Sequence, residues 1–399
     1  MAEAASKRQR GIATLVRNAV IAGAMALSAC VRPSAPPPPP VNPGPVGPSR
    51  PTPTPVRPGL PEEDVQRHRV ALLVPLTGVN GGVGRSLANA TQLAILDTKA
   101  NNIRITTYDT ALGATAAVNR ALADGNKLIL GPLLAEDARA IAPLARRADV
   151  PVLSFSNDVD AAGNGTFIMG YAPSQSIERV VDYASRSGIT DFAGLMPTGL
   201  YGQRASTTFL RAVEGVGGRV TALESYNRGA ASMNEAIARL ARNPFQAVLI
   251  ADAATGAVTA VPGIRRANPG ARVLGTELWN SDSGIGGMTA LNGAWFASVS
   301  DTYYRQYAAK YRARFGAAPY RLSTLGYDAV LLTVRIARDW RPGNNFPAAR
   351  LIDRDGFAGL DGAFRFGRDG VAERALEVQE IRGGTTVTVS PAPQGFGGR

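Results

Sequence analysis

Short apolar runs alternate with stretches of helical periodicity along most of this 399-residue chain, and that alternation limits its fold more than any other feature. VALLVP at 70–75 is continuously apolar, as a strand covered on both faces of a parallel sheet should be. Residues 87–99 follow with Leu87, Ala90, Leu93, Ala94 and Leu96 on one helical face. Then come IRITTYD (103–109), a helix over 114–123, KLILGP (127–132), a helix over 135–147 and VPVLSFS (150–156). This order predicts a doubly wound α/β unit. A second series begins after YAPSQS (171–176), with strands at FAGLMP (192–197), RVTALESY (219–226), QAVLIAD (246–252) and RVLGTEL (272–278). WFASVS (295–300) precedes two helices, 302–315 and 323–340. The end reads as short strands at 357–366, 375–384 and 385–390, with Gly383-Gly384 as a turn. Roughly 330 residues exceed what one core supports, so two lobes are expected.

The first 68 residues read differently. Cys30 is the chain's one cysteine and follows Leu27-Ser28-Ala29, behind an apolar stretch (18–27) and the cations Lys7, Arg8, Arg10 and Arg17. The apolar stretch is too short for a spanning helix of about 20 residues. The pattern resembles a bacterial lipoprotein export signal, which implies a signal peptide over 1–29 and acylation of Cys30. Val31, rather than aspartate, resembles the signal for sorting to the outer membrane. With its one thiol acylated, the exported chain has no disulfide, and its fold must rest on a hydrophobic core. Residues 30–68 form the linker. Proline fills nearly every second position between 33 and 61, which predicts an extended spacer reaching on the order of 90 Å.

The formal charge is +12, of which the leader supplies +3 (four cations against Glu3). Arginines are scattered through the globular part, a surface suited to anionic envelope neighbours. No basic stripe with interleaved aromatics stands out, so nucleic acid is not expected as a partner.

VALLVPLTGVNGGVGRSLANATQLAI, KLILGPLLAEDARAIAPLARRADVPVLSFSND and LYGQRASTTFLRAVEGVGGRV carry a resemblance. They are similar to the type I periplasmic binding protein fold of the leucine, isoleucine and valine receptors. Within that superfamily the chain most resembles the lipoprotein activators of penicillin-binding proteins. The resemblance implies two Rossmann-like lobes, a central cleft and three crossovers. It places 69–172 and 301–340 in lobe 1, 173–300 and 341–391 in lobe 2, and leaves 392–399 as a disordered tail. It also implies a ligand cleft at the carboxyl ends of the strands. Thr77, Gly78, Leu133, Leu134, Ser154 and Ser156 would line it from one lobe, and Tyr201, Asp252 and Glu277 from the other. In an amino-acid clamp, hydroxyls and helix-start amides hold the α-carboxylate, and an acidic side chain such as Asp252 or Glu277 holds the ammonium. Where the receptors carry hydroxyl residues after Gly131-Pro132, this chain has Leu133-Leu134-Ala135. Ser154 and Ser156 could compensate, or could equally be strand-end caps.

Other chemistry has less behind it. Gly78, Gly81, Gly82 and Gly84 with Asp109 superficially match a dinucleotide fingerprint, but Leu87 stands at the third glycine position. They read instead as a flexible cleft-edge loop, and no cofactor is expected. The one histidine, His68, lies at the linker junction, which disfavours a triad or a histidine metal site. Tyr303, Tyr304, Tyr307 and Tyr311 read as packing rather than a sugar platform, and Trp279 and Trp295 as core or cleft wall. The expectation is a non-enzymatic, lipid-anchored envelope protein that contacts a penicillin-binding protein. The alternative is a transporter receptor for branched-chain or related amino acids, with a small polar ligand in the cleft.

Overall fold

The computed structural model describes residues 67–396, apart from Arg228 and Ser283. The signal peptide, Cys30 and the proline tract lie outside the described residues.

The first sheet has five parallel strands in the order β2-β1-β3-β4-β5. They are β1 (His68–Val74), β2 (Ile103–Asp109), β3 (Leu128–Leu130), β4 (Val152–Ser154) and β5 (Thr166–Ile168). Between them run α1 (Gly81–Thr98), α2 (Ala114–Ala123) and α3 (Ala135–Arg147). The continuous apolar run in β1 has a direct cause. Val70, Leu72 and Val74 face one core while Ala71 and Leu73 face another, so both sides of the strand are covered.

The second sheet has seven strands in the order β15-β14-β10-β9-β8-β6-β7. Its parallel part is β6 (Asp191–Pro197), β7 (Arg219–Tyr226), β8 (Ala247–Ile250), β9 (Arg272–Gly275) and β10 (Trp295–Ser298). The intervening helices are α4 (Pro173–Arg186), which leads in, α5 (Leu200–Gly215), α6 (Ala230–Leu240) and α7 (Ala254–Ala267). β14 (Glu377–Arg382) and β15 (Thr385–Ser390) add antiparallel, joined at the expected Gly383-Gly384 turn. α8 (Tyr304–Phe315) and α9 (Thr324–Ile336) return to the first lobe, where Tyr307, Tyr311 and Tyr327 join its core.

The structure corrects several expectations. The stretch 341–391 does not belong whole to the second lobe. A small antiparallel sheet of β11 (Phe357–Gly359), β12 (Gly362–Phe366) and β13 (Ala372–Arg374) inserts Phe357, Phe364, Phe366 and Ala372 into the first core, and only β14 and β15 join the second sheet. Residues 357–366 are thus a hairpin, closed by Leu360-Asp361, rather than one strand. β5 and α4 have no counterpart in the sequence reading. Gly81, Gly82 and Gly84 are the first turn of α1 rather than a loop. A Cβ at Gly84 would stand 1.7 Å from the Pro75 carbonyl oxygen, so glycine here lets the helix start lie against the strand end. Leu96, expected on the buried face, is 49% exposed. In the tail, Phe396 lies 4.6 Å from the Arg365 guanidinium, whereas 397–399 fall outside the described residues.

Candidate functional site

The two sheets turn their carboxyl ends toward a common cleft, and the chain passes between the lobes near Ala172, Ser300 and Ala375. On the first lobe, Thr77 and Gly78 are exposed at the end of β1. Asp109 accepts from the Leu76 amide at 2.8 Å and the Ala111 amide at 2.9 Å, so it caps the strand ends. Leu133 packs partly buried against the first core, and Leu134 precedes α3 without a side-chain cap. Glu136 and Asp137 occupy the first turn of α3, where they already complement the helix dipole.

Ser154 and Ser156 are buried and hydrogen-bonded to the backbone. Ser154 Oγ donates to the Pro132 carbonyl at 3.0 Å and accepts from the Ser156 amide at 3.2 Å. Ser156 Oγ accepts from the Asp158 amide at 3.1 Å. Both act as strand-end caps, and the Ser154 hydroxyl proton is taken by the Pro132 carbonyl.

On the second lobe, Tyr201 and Glu277 come together. The Tyr201 hydroxyl donates to Glu277 Oε1 at 3.2 Å and lies 3.0 Å from Thr276 Oγ1, and Ser176 Oγ donates to Glu277 Oε2. Burial pushes the Glu277 carboxyl above its ordinary range, while the Ser176 and Tyr201 hydrogen bonds oppose the shift. Asp252 is engaged separately, by the Tyr226 hydroxyl and the Ala253 amide. Trp279 and Trp295 are core residues, and Trp279 Nε1 donates to the Asp252 carbonyl at 3.0 Å. His68 is buried and stacked on Trp340 at 4.0 Å.

The most elaborate polar cluster was not among the sequence candidates. Asp361, fully buried at the tip of the small hairpin, accepts from Tyr171 at 2.6 Å, Arg321 at 2.7 Å and Thr324 at 2.8 Å. Burial alone would raise its carboxyl, but Arg321 and Arg374 outweigh that and hold it below the ordinary range. Arg321 also reaches Asp301 at 3.3 Å, which ties the second crossing to the first. Asp328, equally buried, accepts from the Leu360 amide at 2.6 Å, and burial with the Asp361 charge pushes it up to about 7. A sequence signal existed: each acid interrupts an otherwise apolar run, in TLGYDAVLL and FAGLDGAF.

Across the cleft mouth, Arg204 of α5 meets Asp158 at 2.8 Å and Asp160 at 2.5 Å on the first lobe, and Arg139 also pairs with Asp158. Beside this latch lies a space of about 500 Å³ lined by Ala135, Asn157, Leu200, Tyr201 and Thr208 among others. Deeper, at the crossings, a cavity of about 20 Å³ is lined by Tyr171, Gln175, Ser176, Glu277, Arg321 and Arg374. Among the described residues no group of three or more acidic, histidine or cysteine side chains could hold a metal ion. No described helix is long and apolar enough to cross a membrane.

Comparison with known proteins agrees with this architecture. Residues 68–385 match the family described as periplasmic binding protein. The chain belongs to the periplasmic binding protein family. This binding protein has the fold of a Rhodospirillum rubrum protein described in connection with branched-chain amino acid ABC transport, with a TM-score of 0.73 at 21% identity over 81% of this chain and 100% of that one. It is also similar to the C-domain of LpoA from Haemophilus influenzae, a regulator of PBP1A. The TM-score there is 0.62 at 18% identity, covering 80% of this chain and 99% of that one. At these identities the likeness shows the fold. In sequence, the binding protein is 25% identical over 176 residues to the uncharacterised protein RP748 of Rickettsia prowazekii; the match spans 44% of this chain and about half of that relative, 47%. The family and these solved structures are binding proteins or regulators rather than enzymes.

Proposed function

We propose that this chain is a non-enzymatic envelope lipoprotein that regulates a peptidoglycan synthase through its surface. One observation carries the reading: after Gly131-Pro132 and at the end of β4 the first lobe offers few hydroxyl donors for a ligand carboxylate. Leu133 and Leu134 stand where the receptors carry hydroxyl residues, and the Ser154 hydroxyl donates to the Pro132 carbonyl. A ligand carboxylate placed there would be desolvated without full compensation. The fold likeness to the Haemophilus influenzae regulator of PBP1A supports the same reading. The lipoprotein signal at Cys30 and the proline spacer suit a domain held away from an outer membrane toward the cell wall. Labelled palmitate should enter the wild-type chain and not Cys30→Ser, and equal labelling would remove the anchor from this proposal.

The second reading is a transporter receptor. The likeness to the Rhodospirillum rubrum protein and the 500 Å³ cleft space favour it. Thermal unfolding separates the two. A receptor gains stability of about 2.7 kcal/mol at a hundredfold ligand excess over Kd. The expected result is no stabilisation by any of the twenty amino acids, together with saturable binding to a purified penicillin-binding protein. Stabilisation by one amino acid, abolished by Glu277→Gln, would establish the receptor instead.

A further inference from the structure

A groove of about 630 Å³, open to solvent, runs between the lobes away from the residues discussed so far as cleft candidates, none of which lines it. Asn280, Asp282, Gly287 and the β14–β15 turn form its second-lobe wall, and Tyr304, Tyr320 and Arg321 its first-lobe wall. That volume lies within the range of about 300–1,000 Å³ usual for small-molecule sites.

Two tyrosines give the groove aromatic surface, and both are held in place. Tyr320 is 53% exposed, yet its amide donates to Ser86 Oγ at 3.0 Å. Its ring end is seated on the first turn of α1, where a Cβ at Gly82 would stand 2.8 Å from the hydroxyl oxygen. Tyr304 is fixed by the Arg321 guanidinium, 4.4 Å from its ring centre. Neither tyrosine hydroxyl has a hydrogen-bond partner among the described residues. Burial pushes the Tyr304 hydroxyl above its ordinary range, so at neutral pH it can both donate and accept.

The charges in the groove select against an anion. The Arg321 side chain is 5% exposed and already held by Asp361 at 2.7 Å and Asp301 at 3.3 Å, so it offers a guest no free cation. Asp282 accepts from the Gly284 amide at 2.9 Å through Oδ1, and its Oδ2 has no partner among the described residues. Thr385 and Thr386 add hydroxyls on the same wall.

We propose that this groove binds a short stretch of a neutral glycan chain, with a sugar ring's C–H face on Tyr320 and its hydroxyls on Asp282 and Tyr304. A pyranose with equatorial substituents has an apolar C–H face and a rim of hydroxyls that donate and accept. Aromatic surface beside a carboxylate and hydroxyls is complementary to both. Because the walls come from different lobes, occupancy favours the lobe arrangement that presents them together. The site does not rest on the synthase reading, and each can fail without the other.

The test is calorimetric titration of the full chain with chitotriose, cellotriose and spermidine. Saturable binding of a trisaccharide is expected. Chitotriose alone would mean that the acetamido group is read, and both sugars would mean that ring and hydroxyls suffice. Saturation by neither sugar overturns the proposal, and binding of spermidine alone would make the groove an amine site instead. Tyr320→Ala should weaken sugar binding at least about tenfold. Tyr303→Ala, at an exposed ring outside the groove, should leave it unchanged. Equal affinity in wild type and Tyr320→Ala would place the sugar elsewhere and overturn the site. Should Tyr320→Ala fail to fold, Gly287→Phe decides, because a Cβ there meets nothing within 4 Å and the ring can fill the groove. Loss of sugar binding in that variant supports the site, and undiminished binding sinks it.

Discussion

At the scale of single residues, the chain concentrates buried charge where the lobes join. Asp361 and Asp328 illustrate opposite uses of a carboxylate. Asp361 is held below its ordinary range by Arg321 and Arg374, so its contribution is present above that range and fades as acid protonates it. Asp328 sits at about 7 against an ordinary 3.8, so between those values the native chain holds a proton that the unfolded chain has released. Stability from this group therefore falls as pH rises from about 4 to 7, then levels. Asp328→Asn keeps an oxygen for the Leu360 amide and removes the titration. Measured by urea unfolding, the variant should gain on wild type by on the order of 3 kcal/mol between pH 5 and pH 8. Parallel pH profiles for the two proteins would show that Asp328 is not the group responsible.

At the scale of elements, each lobe uses the same device to seat the helix that follows its first strand. Gly84 of α1 packs on the Pro75 carbonyl, and Gly202 of α5 packs on the Pro197 carbonyl; in both places an added Cβ would lie 1.7 Å from the oxygen. Neither contact can relax by moving a side chain, because the obstacle is backbone. Gly84→Ala and Gly202→Ala should each destabilise by about 3 kcal/mol in equilibrium unfolding. Gly215→Ala, at the end of α5 with open space around it, should be neutral or stabilising by about 0.5 kcal/mol. Similar values at all three sites would mean that helix propensity, rather than this close approach, sets the outcome. The tyrosines of α8 follow their own packing logic: Tyr307 and Tyr311 are core, 5.8 Å apart and bonded to Ser323 and Ser86, while Tyr303 remains exposed.

At the scale of the molecule, the two lobes are joined by three crossings and a latch at the cleft mouth. Arg204 supplies the latch, and its side chain is 30% exposed against 3% for Asp158. A charged hydrogen bond of this kind contributes about 2 kcal/mol, or more than tenfold in the balance between lobe arrangements. Small-angle scattering of Arg204→Ala should show a larger radius of gyration than wild type, with unfolding still cooperative. An unchanged scattering profile would leave the crossings alone in charge of lobe geometry. What the sequence determined by itself was the layered α/β architecture. Strands covered on both faces must be continuously apolar, and helices on a sheet must carry a 3.6-residue stripe, so β1, β3, β6, β8 and α3 were all visible as local patterns. Tyr201 and Glu277, which the resemblance named together, are hydrogen-bonded to each other. Tertiary structure alone decided the rest. Ser154 donates to the Pro132 carbonyl, a backbone group that comes near only when β3 and β4 pair. Residues 357–374 went to the first core because their aromatic side chains meet Phe167 and the α9 face across nearly two hundred residues of chain. The cluster around Asp361 draws on Tyr171, Arg321 and Thr324, and Arg374 stands beside it. Those contacts join residues distant in sequence, and local periodicity carries no information about them.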